Sequence, residues 1–105
     1  MAVAVVEVDT EVLRALAEPM RWRILQQLAD EELCVCHLVE MLEVAQPLVS
    51  HHLRVLRDAG LVETERVRYW TYYRLRPEAL AGAGDAITAM GQHAPPAGAR
   101  RRPCC

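Results

Sequence analysis

The chain has 105 residues, 52% of them apolar and 25% charged, with a formal net charge of −2. That balance describes one small soluble domain and excludes a fibrous or membrane-embedded chain, and so short a chain buries little surface, which favours association into a dimer. The apolar run Met1–Val6 lacks a basic leader and is broken by Glu7 and Asp9, so it reads as neither a signal peptide nor a membrane span. The expected address is cytoplasmic, with no membrane partner.

Thr10 is the expected cap of a first helix carrying Val12, Leu13 and Leu16 on one side. Glu18-Pro19 ends it and opens a second, Pro19 to about Leu28, with Met20, Ile24, Leu25 and Leu28 at helical spacing. Asp30-Glu31-Glu32 punctuates the chain before a third helix from about Cys34 to Leu42, whose core positions are Leu38, Met41 and Leu42. Gln46-Pro47 opens a fourth, in which Val49, Leu53 and Leu56 form the buried stripe. Ser50, His51, Arg54 and Arg57 lie on its other side. Ala59-Gly60 closes it.

The pattern then changes to β. Leu61–Glu65 and Tyr69–Leu75 read as a hairpin with Arg66-Val67-Arg68 at its tip, and Trp22, Trp70 and Tyr72 read as core or hairpin packing. Pro77 starts a last helix through about Met90. Beyond Gly91 the chain is rich in Pro, Ala, Gly and Arg and is expected to be disordered up to Cys104-Cys105. Helices followed by a hairpin, mainly α with a small β element, is the order of a dimeric winged helix-turn-helix. Residues 1–91 would form the DNA-binding and dimerisation domain and 92–105 a flexible tail. The helix-turn-helix pair would be Cys34–Leu42 and Gln46–Ala59, the hairpin the wing. The outer helices, around Leu13 and Leu16 and around Leu80 and Ile87, would supply the dimer seam.

Charge is unevenly spread. Residues 1–45 carry nine acidic side chains against three arginines, whereas residues 46–76 carry three against six. The middle of the chain is therefore the basic part, as an electrostatic footprint for nucleic acid requires. The DNA-facing set is Gln46, Pro47, Ser50, His51, His52 and Arg54 on the fourth helix, with Arg66 and Arg68 on the wing. Glutamine suits adenine and arginine suits guanine in the major groove, while Ser50 and the wing arginines suit phosphates. A dimer would set two reading helices about one DNA turn apart on near-palindromic double-stranded operator DNA.

The cysteines fall in two pairs, Cys34/Cys36 and Cys104/Cys105. In a reducing compartment such pairs suggest metal or redox chemistry more than structural disulfides. Side chains two apart on a regular helix point about 200° away from each other, so Cys34 and Cys36 can share an ion only if the helix start is unwound. The positive end of the helix would favour their thiolates. His37 reads as a capping or surface residue rather than a ligand. Two sulfurs are too few for As(III) or Sb(III), which suit three thiolates, and Cd(II) and Pb(II) also accept sulfur-rich sites. The missing donor must come from the tail, from His37 or from solvent; the tail cysteines, Cys104 and Cys105, are the expected ones, on an arm long enough to cross a small domain. No organic cofactor and no catalytic constellation is expected.

Glu32-Leu33-Cys34-Val35-Cys36-His37-Leu38, Gln46-Pro47, Ser50-His51-His52-Leu53, the run Leu56–Val62 and Tyr72-Tyr73-Arg74-Leu75 together resemble the ArsR/SmtB family of metal-responsive repressors. The resemblance covers roughly residues 9 to 80 and is nearest the arsenical-sensing branch. It implies a winged-helix homodimer that represses a resistance operon and leaves DNA when As(III) or Sb(III) binds its thiolates. Cd(II) or Pb(II) is the alternative inducer. The chain departs from the family pattern at three points. Val39 stands where the arsenic-sensing pattern has a third cysteine, residues 1–33 hold no cysteine, and Ile87 replaces the histidine of the last-helix zinc site. Two rival classes are a thiol redox switch that still regulates DNA and a metal-buffering protein; the basic 46–76 segment disfavours the latter.

Overall fold

Local capping and apolar spacing fix each helix. The computed structural model of the chain describes residues 8–104, so Met1–Glu7, including the apolar Met1–Val6 run, and Cys105 lie outside the described residues. Helix α1 spans Thr10–Leu16. Its cap is Asp9 rather than Thr10, the Asp9 carboxylate accepting the Glu11 N–H at 2.9 Å. Helix α2 spans Pro19–Leu28, with proline in its first turn and Glu18 accepting the Arg21 N–H at 2.8 Å. Helix α3 spans Val35–Leu42, and after a short turn with Glu43 in the left-handed region (φ 54°), α4 spans Gln46–Asp58.

The end of α4 is a complete Schellman closure. The Gly60 N–H bonds the Arg57 carbonyl at 2.9 Å, the Leu61 N–H bonds the Leu56 carbonyl at 3.0 Å, and Gly60 takes φ +80°. Leu56 and Leu61 are both fully buried, which supplies the apolar contact that accompanies this motif. The closure turns the chain directly into strand β1, Val62–Val67, which pairs antiparallel with β2, Trp70–Leu75, in the register Val62↔Leu75 through Val67↔Trp70. The turn is only Arg68-Tyr69. Arg66 and Val67 therefore belong to the strand, not to a three-residue tip, and Arg68 takes the positive φ (58°) that two-residue hairpins demand of their first turn residue. Helix α5 spans Pro77–His93, three residues beyond the expected end, and packs on α1.

Ile24, Leu38, Val49, Leu53, Leu56, Leu61 and Val62 form the centre of the core, where α2, α3, α4 and β1 meet. Met41, expected there, is exposed, as are Trp22 and Trp70. Residues 94–104 carry no helix or strand. No described helix is long and apolar enough to cross a membrane.

An alanine at Gly60 would meet only the Arg76 guanidinium, at an ordinary 3.9 Å, so its cost is that of the backbone conformation. Gly60→Ala should lower stability by about 1–2 kcal/mol, measured by urea unfolding at fixed protein concentration.

Candidate functional site

Cys34 is the N-cap of α3, with extended backbone (φ −82°, ψ 166°), while Cys36 lies in the first helical turn. Because Cys34 stands outside the helix, the angular objection to two ligands two residues apart does not apply. The ligand atoms of Cys34, Cys36 and His37 lie within 4.8 Å of one another. The unwound start that a shared ion requires is thus built into the fold. His37 is the capping residue: its Nδ1 accepts the Cys34 backbone N–H at 3.0 Å.

The electrostatics differ from the sequence expectation. Cys34 is buried, and burial pushes its thiol pKa up, with the neighbouring Cys36 adding to the rise. The neighbouring Tyr72 hydroxyl pulls the other way but does not win. Burial thus works against the thiolate that a helix start was expected to favour. Tyr72 is itself pushed above the usual phenol value, first by the charge of a Cys34 thiolate beside it and then by burial. Cys36 is exposed, giving the cluster one buried and one open sulfur. Two thiols and an imidazole at this spacing suit a soft or borderline ion, so the donor chemistry fits the group that the sequence pattern implies.

Cys104 is an exposed free thiol that does not join this cluster among the described residues; Cys105 lies outside them. Asp85 and Ile87 are exposed on α5, and no metal-ligand group forms there among the described residues.

Helix α4 presents Gln46, Pro47, His51 and Arg54 to solvent, with Ser50 half-buried, and the wing presents Arg66 and Arg68. His52 does not belong to this face. It is 7% exposed and turned towards α2, where Arg21 NH1 meets its Nδ1 at 3.2 Å and a Glu18 oxygen stands 3.8 Å away. The physical reason is its helical position: residue 52 is three after Val49 and four before Leu56, inside the apolar stripe. The basic segment is also less open than its composition suggests. Arg74 is tied to Glu63 (2.8 Å), Glu65 (3.5 Å) and Glu32 (3.6 Å), and Arg76 to Glu78 (2.9 Å). Among the described residues Arg54, Arg66 and Arg68 have no carboxylate partner, so the outward positive charge of α4 and the wing rests on them. Tyr72, which the sequence reading assigned to packing, was missed at the thiol site. Its signal is non-local, arising only from the pairing of β2 with the residues ahead of α3.

Fold and site together define a winged helix-turn-helix protein with a thiol cluster at the first turn of its helix-turn-helix. The family model described as "Bacterial regulatory protein, arsR family" matches residues 18–64. The chain is 46% identical over 85 residues to the HTH-type transcriptional repressor SmtB of Mycobacterium tuberculosis, spanning 80% of this chain and 63% of that relative. It is 38% identical over 84 residues to the arsenical resistance operon repressor of Bacillus subtilis, spanning 72% of this chain and 80% of the relative. A crystal structure described as a possible transcriptional regulator for arsenical resistance superposes with a TM-score of 0.69 at 35% identity, covering 76% of this chain and 83% of the other. The chain belongs to the arsR family of bacterial regulatory proteins. These relatives are named as regulators, not enzymes.

Burial holds the His52 pKa below its usual value; Glu18 opposes this, while Arg21 and His51 add to it. A histidine whose folded pKa is depressed contributes stability that is present above its unfolded pKa, about 6.5, and is lost as pH falls through the folded value. Thermal unfolding should therefore occur at lower temperature at pH 5 than at pH 7, and His52→Gln should flatten that dependence.

Proposed function

We propose that the protein is a homodimeric, cytoplasmic transcriptional repressor that holds near-palindromic operator DNA through α4 and the wing and releases it when As(III) or Sb(III) binds its cysteines. The observation that carries this reading is the Cys34–Cys36–His37 cluster on the first turn of α3, the helix joined to α4 by a three-residue turn. Relatives named as arsenical resistance repressors support the inducer class. Cys34 and Cys36 are the primary ligands. Cys104, on a stretch without helix or strand, and Cys105 supply the further sulfurs that a three-thiolate site needs. The close approach of the His37 imidazole favours a second reading, in which the inducer is Cd(II) or Pb(II), because nitrogen joins sulfur readily around such ions.

Gln46, Pro47, Ser50, His51 and Arg54 face the major groove in this reading, and Arg66 and Arg68 reach the flanking backbone. The homodimer is supported by apolar side chains left outward on the outer helices. Leu13, Trp22, Ile87 and Met90 are exposed, and Leu13, Trp22, Leu80 and Ile87 border one hollow of about 290 Å³ between α1 and α5.

Fluorescence anisotropy with DNA from the protein's own promoter, under reducing conditions, tests the assignment. Arsenite should weaken binding by about 5- to 150-fold, and Cys34→Ser should abolish that response. Release by Cd(II) and not by arsenite would install the second reading. Binding that neither ion disturbs would overturn both. Ile87→Asp should shift the sedimentation coefficient from dimer to monomer and weaken DNA binding in parallel.

A further inference from the structure

Three consecutive residues ahead of α3 run antiparallel to three consecutive residues of the wing. Leu33 and Tyr73 form a backbone bridge, Leu33 N–H to the Tyr73 carbonyl at 3.1 Å and Tyr73 N–H to the Leu33 carbonyl at 2.8 Å. One residue earlier, the Glu32 carboxylate meets Arg74 at 3.6 Å. One residue later, Cys34 faces Tyr72, whose ring centroid also lies 6.5 Å from that of His37. Leu33 is itself in the core, which anchors this ladder rather than leaving it a surface contact. Strand β2 is therefore bonded on one edge to β1, which carries Arg66, and on the other to the segment that ends in the first thiol of the cluster.

We propose that Tyr72 is a positioning residue of the thiol cluster and that the ladder Glu32–Cys34 against Tyr72–Arg74 makes the wing the element through which occupation of Cys34 reaches DNA. Coordination at Cys34 forms a bond from the ion to sulfur and releases the thiol proton to solvent. The sulfur is drawn towards Cys36 and His37, which ride on the first turn of α3. The Cys34 N–H is fixed by His37 and the preceding residue is fixed by Tyr73, so a shift of Cys34 strains the ladder. The wing then changes its angle to α4. Tyr72 is half-buried, stands opposite Cys34 in this register and lies beside the His37 ring, and its side chain is what makes the third rung respond to the ion.

This inference rests on the inducible-repressor reading, and its test separates the two. Cd(II) is the probe, loaded to saturation and followed by its thiolate charge-transfer absorbance, with promoter DNA binding read by anisotropy. Tyr72→Phe should bind DNA without ion within about threefold of the wild type and still load Cd(II), yet its release factor at saturation should fall at least fivefold. Hydrogen exchange supplies a second readout on the unaltered protein: Cd(II) should change protection at the Leu33 and Tyr73 amides. A release factor unchanged in Tyr72→Phe, or amide protection that Cd(II) leaves alone, overturns the coupling. If Tyr72→Phe fails to fold, the amide measurement decides alone. Failure of the wild type to load Cd(II) and arsenite, or to release DNA with either, overturns the underlying repressor reading instead.

Discussion

The backbone bridge between Leu33 and Tyr73 is the constraint on which the site depends. Leu33 is drawn into the core with Leu38, five residues later on α3, and the residue between bridge and helix has no freedom to start the helix early. Cys34 must stay extended, α3 must begin at Val35, and the His37 ring folds back to accept the Cys34 N–H. Two cysteines that a regular helix would hold apart are thereby brought into one cluster. A single pair of hydrogen bonds decides the spacing of the sulfurs.

The same placement sets a contest over protonation. Helix ends favour thiolates, but Cys34 is desolvated, and the cost of a buried charge outweighs the pull of the nearby Tyr72 hydroxyl. A buried sulfur kept as a thiol is a poor target for adventitious oxidants, which attack thiolates. An ion strong enough to displace the proton supplies its own compensation. Cys36, exposed on the next turn, is the sulfur an incoming ion can meet first.

Much of the fold was legible because it is written locally. Proline at the first turn marks α2, α4 and α5, Gly60 marks the end of α4, and the apolar periodicity of Val49, Leu53 and Leu56 marks its inner face. The misplacement of His52 came from ranking residue type above position, since its spacing from Val49 and Leu56 already assigned it inward. The outward positions of Trp22 and Met41 were not legible, because side-chain size says nothing about which flank of a small core runs out of neighbours. Arg74 counted towards the basic balance of residues 46–76 in the linear sequence, yet pairing across the hairpin and to Glu32 neutralises it. The pairing of Glu32 with Arg74 joins residues 42 positions apart and leaves no local trace, which is also why Tyr72 was read as packing.

The Arg21 side chain has a consequence for how the reading helix is held. Its guanidinium bonds the Ala15 carbonyl at 2.9 Å and the Arg14 carbonyl at 3.4 Å, and meets His52 on α4 at 3.2 Å. One planar, always-charged group thus pins α4 to the C-terminal end of α1, with α2 as its stem. Those contacts tie the reading helix to α1. In a dimer joined along α1 and α5, the distance between the two reading helices would then be a property of the seam rather than of any loop. The protein would measure half-site spacing as a rigid gauge does, rejecting operators whose halves are a base pair too near or too far.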